Sequence, residues 1–315
     1  MSYATLMVHL QPGRTNAGPL RVAADLADRF QAAVTGVAAC QPMQLVYSDG
    51  YIAGDVFEKD REERNREMAA AEAEFRAAFR TRSNTLDWRS TITLASTSEW
   101  VANEARGADL IITGVASTDA FDPGHSVDTG EIIMRAGRPV LVVPPGTPGN
   151  MPPGTPGNMP LGTPGNVPPG TPGSLPPGVP GSVPSGADAP RLEHAMIGWK
   201  DTRETRRAVM DALPLLQKLA RVSVVEVAEA DGMAAARLHV ADVAAWLGCH
   251  GVAAEAAAVR ADGDDAAQLD GIAQERGADL VVAGAYGHSR LREWALGGVT
   301  RTLLRHTHRC SLLSH

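Results

Sequence analysis

The chain repeats part of its own sequence, and this repeat limits the folds it can adopt more than any other feature. Arg106-Gly-Ala-Asp-Leu-Ile-Ile-Thr-Gly114 recurs with conservative changes as Arg276-Gly-Ala-Asp-Leu-Val-Val-Ala-Gly284, 170 positions later (276 minus 106). Near the start of each copy, Met7–Gln11 matches Met196–Lys200 at an offset of 189 (196 minus 7). We therefore predict two copies of one domain, with a net 19 extra residues (189 minus 170) in the middle of the first.

Between the copies lies a shorter repeat rich in proline and glycine, which begins with Pro144-Pro-Gly-Thr-Pro-Gly-Asn-Met151 and ends at Val183. Proline lacks an amide donor and glycine costs backbone entropy, so neither helix nor central strand is expected here. Collagen is excluded because glycine does not fall at every third position. We predict a domain of residues 1–143, an octapeptide-repeat linker of residues 144–189 and a second domain of residues 190–315.

Apolar runs alternate with helical patterns in both copies. In the second copy, strands are predicted at residues 195–199, 221–227, 251–260, 280–283 and 310–314, and helices at residues 203–219, 232–247, 264–276 and 298–306. This alternation predicts an α/β fold in which each copy forms a five-stranded, doubly wound parallel sheet with helices on both faces. With the strand order 3-2-1-4-5, a ligand crevice lies beyond the carboxyl ends of the first and fourth strands.

Glycines cluster where the fourth strand of the second copy ends. Gly284-Ala-Tyr-Gly287 is followed by nine residues and then by Gly297-Gly298-Val299-Thr300, which opens the last predicted helix. Glycine lets the backbone approach a ligand, and the free amides at a helix start attract anions, so phosphate is the expected ligand. The alternative is that these glycines only make a tight turn and a close helix contact. Lys200-Asp201-Thr202, after the first strand, is expected to face them across the crevice.

This glycine spacing, on a five-stranded α/β unit, resembles that of the universal stress protein family, and two copies in one chain resemble its tandem members. The resemblance implies an adenine nucleotide alpha hydrolase-like fold that binds ATP or a related adenine nucleotide in the second domain, with Mg²⁺ only if ATP is bound. Together with the crevice residues, this predicts a nucleotide site made of Lys200, Asp201, Thr202, Gly284, Gly287, His288, Gly297, Gly298, Val299 and Thr300.

Two positions depart from the family pattern. Nucleotide-binding members carry an aspartate after the first strand that contacts the nucleoside, whereas this chain has Lys200, with Asp201 one position later. The family motif usually continues with Ser or Thr after its last glycine, whereas this chain has Gly298, and Thr300 carries the next hydroxyl. Lys200 is expected to pair with either a phosphate or Asp201, and an empty crevice remains the alternative.

The first copy has lost most of the glycine pattern. Gly114 is retained, but the other three glycines are replaced by Ser117, Val127 and Asp128 at the offset of 170. Side chains thus fill the space that phosphates need, and the loop is rich in aspartate, which repels them. We predict that residues 1–143 bind no ATP and pair with the second domain as a pseudo-dimer, as the resemblance implies.

Composition argues against several classes of protein. A net charge of −7 disfavours a nucleic-acid-binding protein, and no apolar run approaches the length of a membrane span. Because the N-terminal residues also lack the features of a signal peptide, we expect a cytoplasmic protein with neither nucleic acid nor membrane among its partners. Cys40, Cys249 and Cys310 are not clustered, and no metal site is predicted.

Three functions follow from these patterns. The first is a stress-responsive regulatory protein that binds an adenine nucleotide in its second domain. The alternative is an interaction module that binds no nucleotide and acts through its dimer surface, with a homodimer also possible. An ATP-using enzyme ranks last, because His288 and Ser289 are adjacent and no third, orienting carboxylate is evident. We therefore predict no catalytic residues and at most slow ATP hydrolysis.

Overall fold

The computed structural model describes residues 2–43, 54–115, 127–144, 192–285 and 309–315. We call the described residues up to 144 the first half and those from 192 the second half. The first half contains β1 (Thr5–Leu10), α1 (Ala17–Phe30), β2 (Ala33–Cys40), α2 (Gly54–Ala78), β3 (Leu86–Ile92), α3 (Thr97–Glu104), a short 3-10 turn (Ala105–Gly107), β4 (Leu110–Gly114), α4 (Thr129–Arg135) and β5 (Val140–Val143).

The second half contains β6 (His194–Gly198), α5 (Arg203–Leu216), β7 (Arg221–Ala228), α6 (Met233–Cys249), β8 (Ala254–Arg260), α7 (Asp265–Glu275), β9 (Leu280–Gly284) and β10 (Cys310–Ser314). The helix predicted at residues 298–306 lies outside the described residues, as does nearly all of the proline-rich linker. Among the helices that the structure describes, none combines the length and the apolar character needed to cross a bilayer.

The ten strands that the structure describes belong to one sheet, in the order β3-β2-β1-β4-β5-β10-β9-β6-β7-β8. Within each half the order is 3-2-1-4-5 and every pairing is parallel. The halves are joined by β5 and β10, which run antiparallel with Leu141 opposite Leu312. The predicted fold class, two tandem five-stranded doubly wound parallel sheets, is therefore confirmed, and the two sheets are continuous.

Helices cover both faces of this sheet. Apolar side chains of α1, α2, α5 and α6 form the layer on one face, and those of α3, α4 and α7 form the layer on the other. The central strands are buried on both sides, so β5, β9 and β10 consist almost entirely of buried residues and appear in the sequence as short continuous apolar runs.

Side chains also connect the two halves on the α1 and α5 face. The hydroxyl of Tyr3 donates a hydrogen bond to the carbonyl oxygen of Asp211 (2.6 Å), and Arg29 Nη1 donates to the carbonyl oxygen of Leu192 (2.9 Å). Burial raises the pKa of Tyr3, so its phenol stays protonated and keeps donating. Residues of α1 and α5 belong to one continuous apolar cluster.

The extra residues of the first half lie between its second and third strands. The connection from β2 to β3 spans 45 residues (positions 41–85), whereas the connection from β7 to β8 spans 25 (positions 229–253). Accordingly, α2 has 25 residues where α6 has 17. Near the carboxyl end of α2, Glu74 reaches the loop after β1, where its carboxylate accepts hydrogen bonds from the backbone amide (3.1 Å) and the side chain (3.2 Å) of Asn16.

Candidate functional site

The predicted crevice of the second half lies at the carboxyl ends of β6 and β9. These two strands are neighbours, so Lys200, Asp201 and Thr202, which follow β6, lie at the same edge of the sheet as Gly284, which ends β9. The structure thus brings together the four predicted site residues that it describes. The other six lie outside the described residues: Gly287, His288, Gly297, Gly298, Val299 and Thr300.

The three residues after β6 form the entry to α5. Thr202 is the N-cap, and its hydroxyl accepts a hydrogen bond from the Thr205 amide (3.3 Å). Asp201 forms an ion pair with Arg206 and not with Lys200. Asp201, one of the two partners expected for Lys200, is therefore paired with another residue. The Lys200 side chain is exposed and has no ion-pair partner in the part of the chain that the structure describes.

A second carboxylate occupies the amino end of α5. Glu204 is 9% exposed and pairs with Arg203 (3.2 Å). A hydrogen bond from its own backbone amide, helped by Arg203, holds the pKa of this carboxyl below its usual value. Because the pairs Asp201–Arg206 and Glu204–Arg203 are each neutral, Lys200 leaves an uncompensated positive charge at the described rim of the crevice.

Gly284 has a structural reason to be glycine. A Cβ atom at this position would lie 2.5 Å from the Thr205 amide nitrogen and 2.6 Å from the carbonyl carbon of Glu204. Both are backbone atoms of the first turn of α5, which a side chain cannot displace without moving the helix. Close packing of β9 on α5 therefore accounts for this glycine without any ligand.

The corresponding crevice of the first half is bridged by a side chain. Gln11, which corresponds to Lys200 at the offset of 189, donates from Nε2 to the carbonyl oxygen of Val115 (3.3 Å), across the switch point between β1 and β4. The buried side chain of Asn16 fixes the backbone of Gln11 by accepting from its amide (2.8 Å). Where the second half presents a lysine to solvent, the first half thus has a hydrogen bond that links the two strands.

The start of α4 is also occupied. Asp128, the counterpart of Gly298, caps this helix by accepting hydrogen bonds from the amides of Gly130 (2.8 Å) and Glu131 (3.4 Å). The neighbouring residue, Val127, is 4% exposed. A carboxylate therefore already binds two of the amides with which this helix start would otherwise contact an anion.

Comparisons with known proteins agree with this fold. Residues 193–313 match the model of the universal stress protein family. The chain is similar to a universal stress protein from Archaeoglobus fulgidus DSM 4304 (TM-score 0.64, 11% identity, 98% of this chain and 95% of that one). It is also similar to a functionally unknown protein from Pseudomonas aeruginosa PAO1 (TM-score 0.58, 12% identity, 99% and 92%).

A universal stress protein solved in complex with cAMP is similar to 45% of this chain, covering 98% of its own length, at 21% identity with a TM-score of 0.31. No curated protein matches the chain in sequence. Because residues 193–313 match the family model, the second half belongs to the universal stress protein family. The first half repeats the strand order of the second half. The resemblance predicted from the glycine motif is thus confirmed.

Sequence reasoning missed the two residues that decide the charge of this crevice, Glu204 and Arg206. Their positions follow from the N-cap at Thr202, since a helix that starts at Arg203 brings the first two turns of α5 against the strand ends. A search for capping residues after the first strand, followed by a count of charges over the next two turns, would have found both.

Proposed function

We propose that this chain is a stress-responsive regulatory protein whose second half binds ATP or a related adenine nucleotide. The observation that carries the proposal is the charge of Lys200, which no described residue compensates, at the switch point next to the strand end from which the glycine motif starts. A cation beside a strand end from which a glycine-rich segment continues favours a ligand with several negative charges. Lys200, Gly284 and the glycines that follow would then surround its phosphates.

Under this proposal Lys200 contacts a phosphate group and not the nucleoside. A lysine cannot accept the hydrogen bonds that an aspartate accepts from a ribose, because an ammonium group has only donors. Mg²⁺ would enter together with the triphosphate, as it commonly does, and not through a dedicated cage of side chains. We propose no catalysis, since Asp201 and Glu204, the nearest described carboxylates, are both engaged in ion pairs.

The first half is proposed to serve as a pseudo-dimer partner that binds no nucleotide. Two contacts support this role: the Gln11 bridge to Val115 and the Asp128 cap of α4. The antiparallel pairing of β5 with β10 supplies the contact between the partners. The proposal therefore expects one nucleotide for each chain.

Isothermal titration of the full chain tests this proposal. Titration with ATP and Mg²⁺ should show one site per chain, and cAMP, which one universal stress protein binds, serves as a second adenylate. Gly287→Val should weaken ATP binding at least about tenfold, and urea unfolding of this variant checks that the chain still folds. If neither adenylate binds, the nucleotide proposal is wrong and the interaction module acting through its dimer surface replaces it.

Removal of the Lys200 charge should reduce the affinity for ATP about tenfold, because a hydrogen bond to a charged group contributes about 1.5 kcal/mol. Arg207→Ala is the matched control, since Arg207 lies on α5, which follows Lys200, and pairs with Asp211 (2.9 Å) away from the crevice. Titration of Lys200→Ala and Arg207→Ala with ATP compares two chains of equal net charge. Equal affinities for both variants would contradict the role given to Lys200.

A further inference from the structure

A buried histidine lies at the switch point of the first half, where no function has been placed. His9 is 1% exposed, at the carboxyl end of β1. Its Nδ1 lies 2.9 Å from Thr113 Oγ1 of the neighbouring strand β4. Its Nε2 is buried and has no hydrogen-bond partner among the described residues. An unpartnered buried polar atom is rare in folded proteins and calls for an explanation.

The hydrogen bonds of Thr113 favour a proton on Nδ1 of the imidazole. The Thr113 hydroxyl is 3.3 Å from the carbonyl oxygen of Gly114 and can donate its only proton there. Its oxygen then accepts from His9 Nδ1–H, which leaves a lone pair on Nε2. The neutral ring is tolerated in this apolar surrounding, whereas a proton on Nε2 would be a buried donor without an acceptor.

Among the residues that the structure describes, no charged group offsets this cost. Desolvation is the cause that lowers the pKa of His9 to about 4. The neighbouring strands β2 and β4 contain no charged residue, and Cys40 of β2 is a thiol at the strand end. The charged groups on α3 and α4, which form the layer on this face, are partly or largely exposed and paired: Glu99 and Glu131 with Arg135, and Glu104 with Arg89 and Arg106. Positions 116–126 lie outside the described residues.

The second half shows that the fold does not require an imidazole here. Its counterpart of His9 at the offset of 189 is Gly198, where a Cβ would lie 2.9 Å from Leu269 Cδ2. Leu269 and Val101 occupy the same place in their helices, five residues after the N-cap. The first half thus has a smaller residue on the helix and a large polar ring on the strand.

We propose that His9 is an acid-sensitive switch of the first half, in which a proton taken up by Nε2 drives the ring towards water and loosens the layer of α3 and α4 over β1 and β4. This device is independent of nucleotide binding and operates in the ligand-free chain. The open form has an imidazole with ordinary access to solvent, and the closed form does not.

The direction of the pH dependence follows from proton binding. The open form binds the proton with a pKa near 6.5 and the closed form with a pKa of about 4, so acid favours the open form. Above pH 7 both forms are neutral and closure is fully favourable. Between the two pKa values, the ratio of open to closed form rises up to about tenfold for each unit by which pH falls.

Hydrogen exchange of the ligand-free full chain tests the switch. Exchange is read by mass spectrometry at pH 7.5 and pH 5 and corrected for its intrinsic pH dependence. Protection of β1, α3 and β4 should fall at least about tenfold at pH 5. In His9→Leu this loss should disappear. Unchanged protection of these three elements in the wild-type chain, or an equal loss in His9→Leu, would overturn the proposal.

The second half supplies the matched control. His194 is also buried, but its Nδ1 has the Arg276 carbonyl (3.1 Å) and its Nε2 has Ser223 Oγ (3.2 Å) as partners. Burial also raises the pKa of Asp279, which lies beside His194, to about 6. The second half can therefore respond to acid as well, and hydrogen exchange has to be read for each strand to distinguish the responses of the two halves. His194→Gln should leave the acid response of β1 and β4 intact, and its loss in this variant would count against His9.

A second measurement covers the case in which His9→Leu fails to fold. Nuclear magnetic resonance of the wild-type imidazoles, with His9→Gln used to assign the signal, gives the pKa of His9 directly. A value below 5 supports the proposal, and a value of 6 or above overturns it, because burial of Nε2 would then impose too small a cost on the proton to drive a switch.

Discussion

Leu312→Asp is expected to lower the free energy of unfolding of the whole chain by about 4 kcal/mol or more. Leu312 is 0% exposed, in β10, opposite the equally buried Leu141 of β5. The substitution removes apolar contacts and places a carboxylate where it has neither water nor a partner. Because β5 and β10 carry the contact between the two sheets, both halves should lose stability together.

Urea unfolding followed by far-ultraviolet circular dichroism measures this effect, and hydrogen exchange of β1 and β6 reports on each half separately. Leu238→Asp is the control, since Leu238 is 67% exposed on α6 and the change there should cost less than about 0.5 kcal/mol. If Leu312→Asp weakens β6 and leaves β1 at its wild-type protection, the halves fold independently and the continuous sheet does not couple them.

Most strands of the second half could be predicted from sequence because they are buried on both faces. The predicted strands 280–283 and 310–314 agree with β9 and β10 to within one residue. The strand predicted to start at residue 251 begins only at Ala254. Gly251 has a φ of +78°, and the Val252 amide donates to the Leu247 carbonyl (3.0 Å), so these residues end α6.

The pairing of the two halves could not be predicted in the same way. The apolar runs of β5 and β10 indicate burial, but the same pattern fits a parallel or an antiparallel neighbour. The resemblance implied a pseudo-dimer and left open which strands meet. Contacts such as Gln11 to Val115 depend on the register of β1 against β4, which a single sequence does not contain.

The sequence predicts where the candidate site lies, but it does not predict the charge of the site. Strand order placed Lys200 and Gly284 at one edge of the sheet, and the structure agrees. The ion pair of Asp201 with Arg206 depends on how α5 starts, which the alternation of apolar residues does not determine. Most of the glycine motif lies outside the described residues, so the shape of the loop stays a prediction.

Gly284→Ala is expected to lower the free energy of unfolding by about 2 to 3 kcal/mol, with or without nucleotide. The added methyl would lie 2.5 Å from the Thr205 amide nitrogen, so α5 must move away from β9. Gly114→Ala in the first half is the matched control, because its methyl would have an ordinary contact at 3.5 Å with Pro19 Cγ. That variant should change stability by less than about 0.5 kcal/mol.

Urea unfolding of both variants, in the absence of nucleotide, compares the same substitution at equivalent positions of the two halves. Equal stabilities would mean that α5 adapts without cost and that Gly284 is retained for a ligand instead. If Gly284→Ala is destabilised as expected and also loses ATP binding, that loss is explained by the displacement of α5. The same displacement would move Thr202 and the adjoining Lys200, so only Gly287→Val and Lys200→Ala then test the nucleotide site itself.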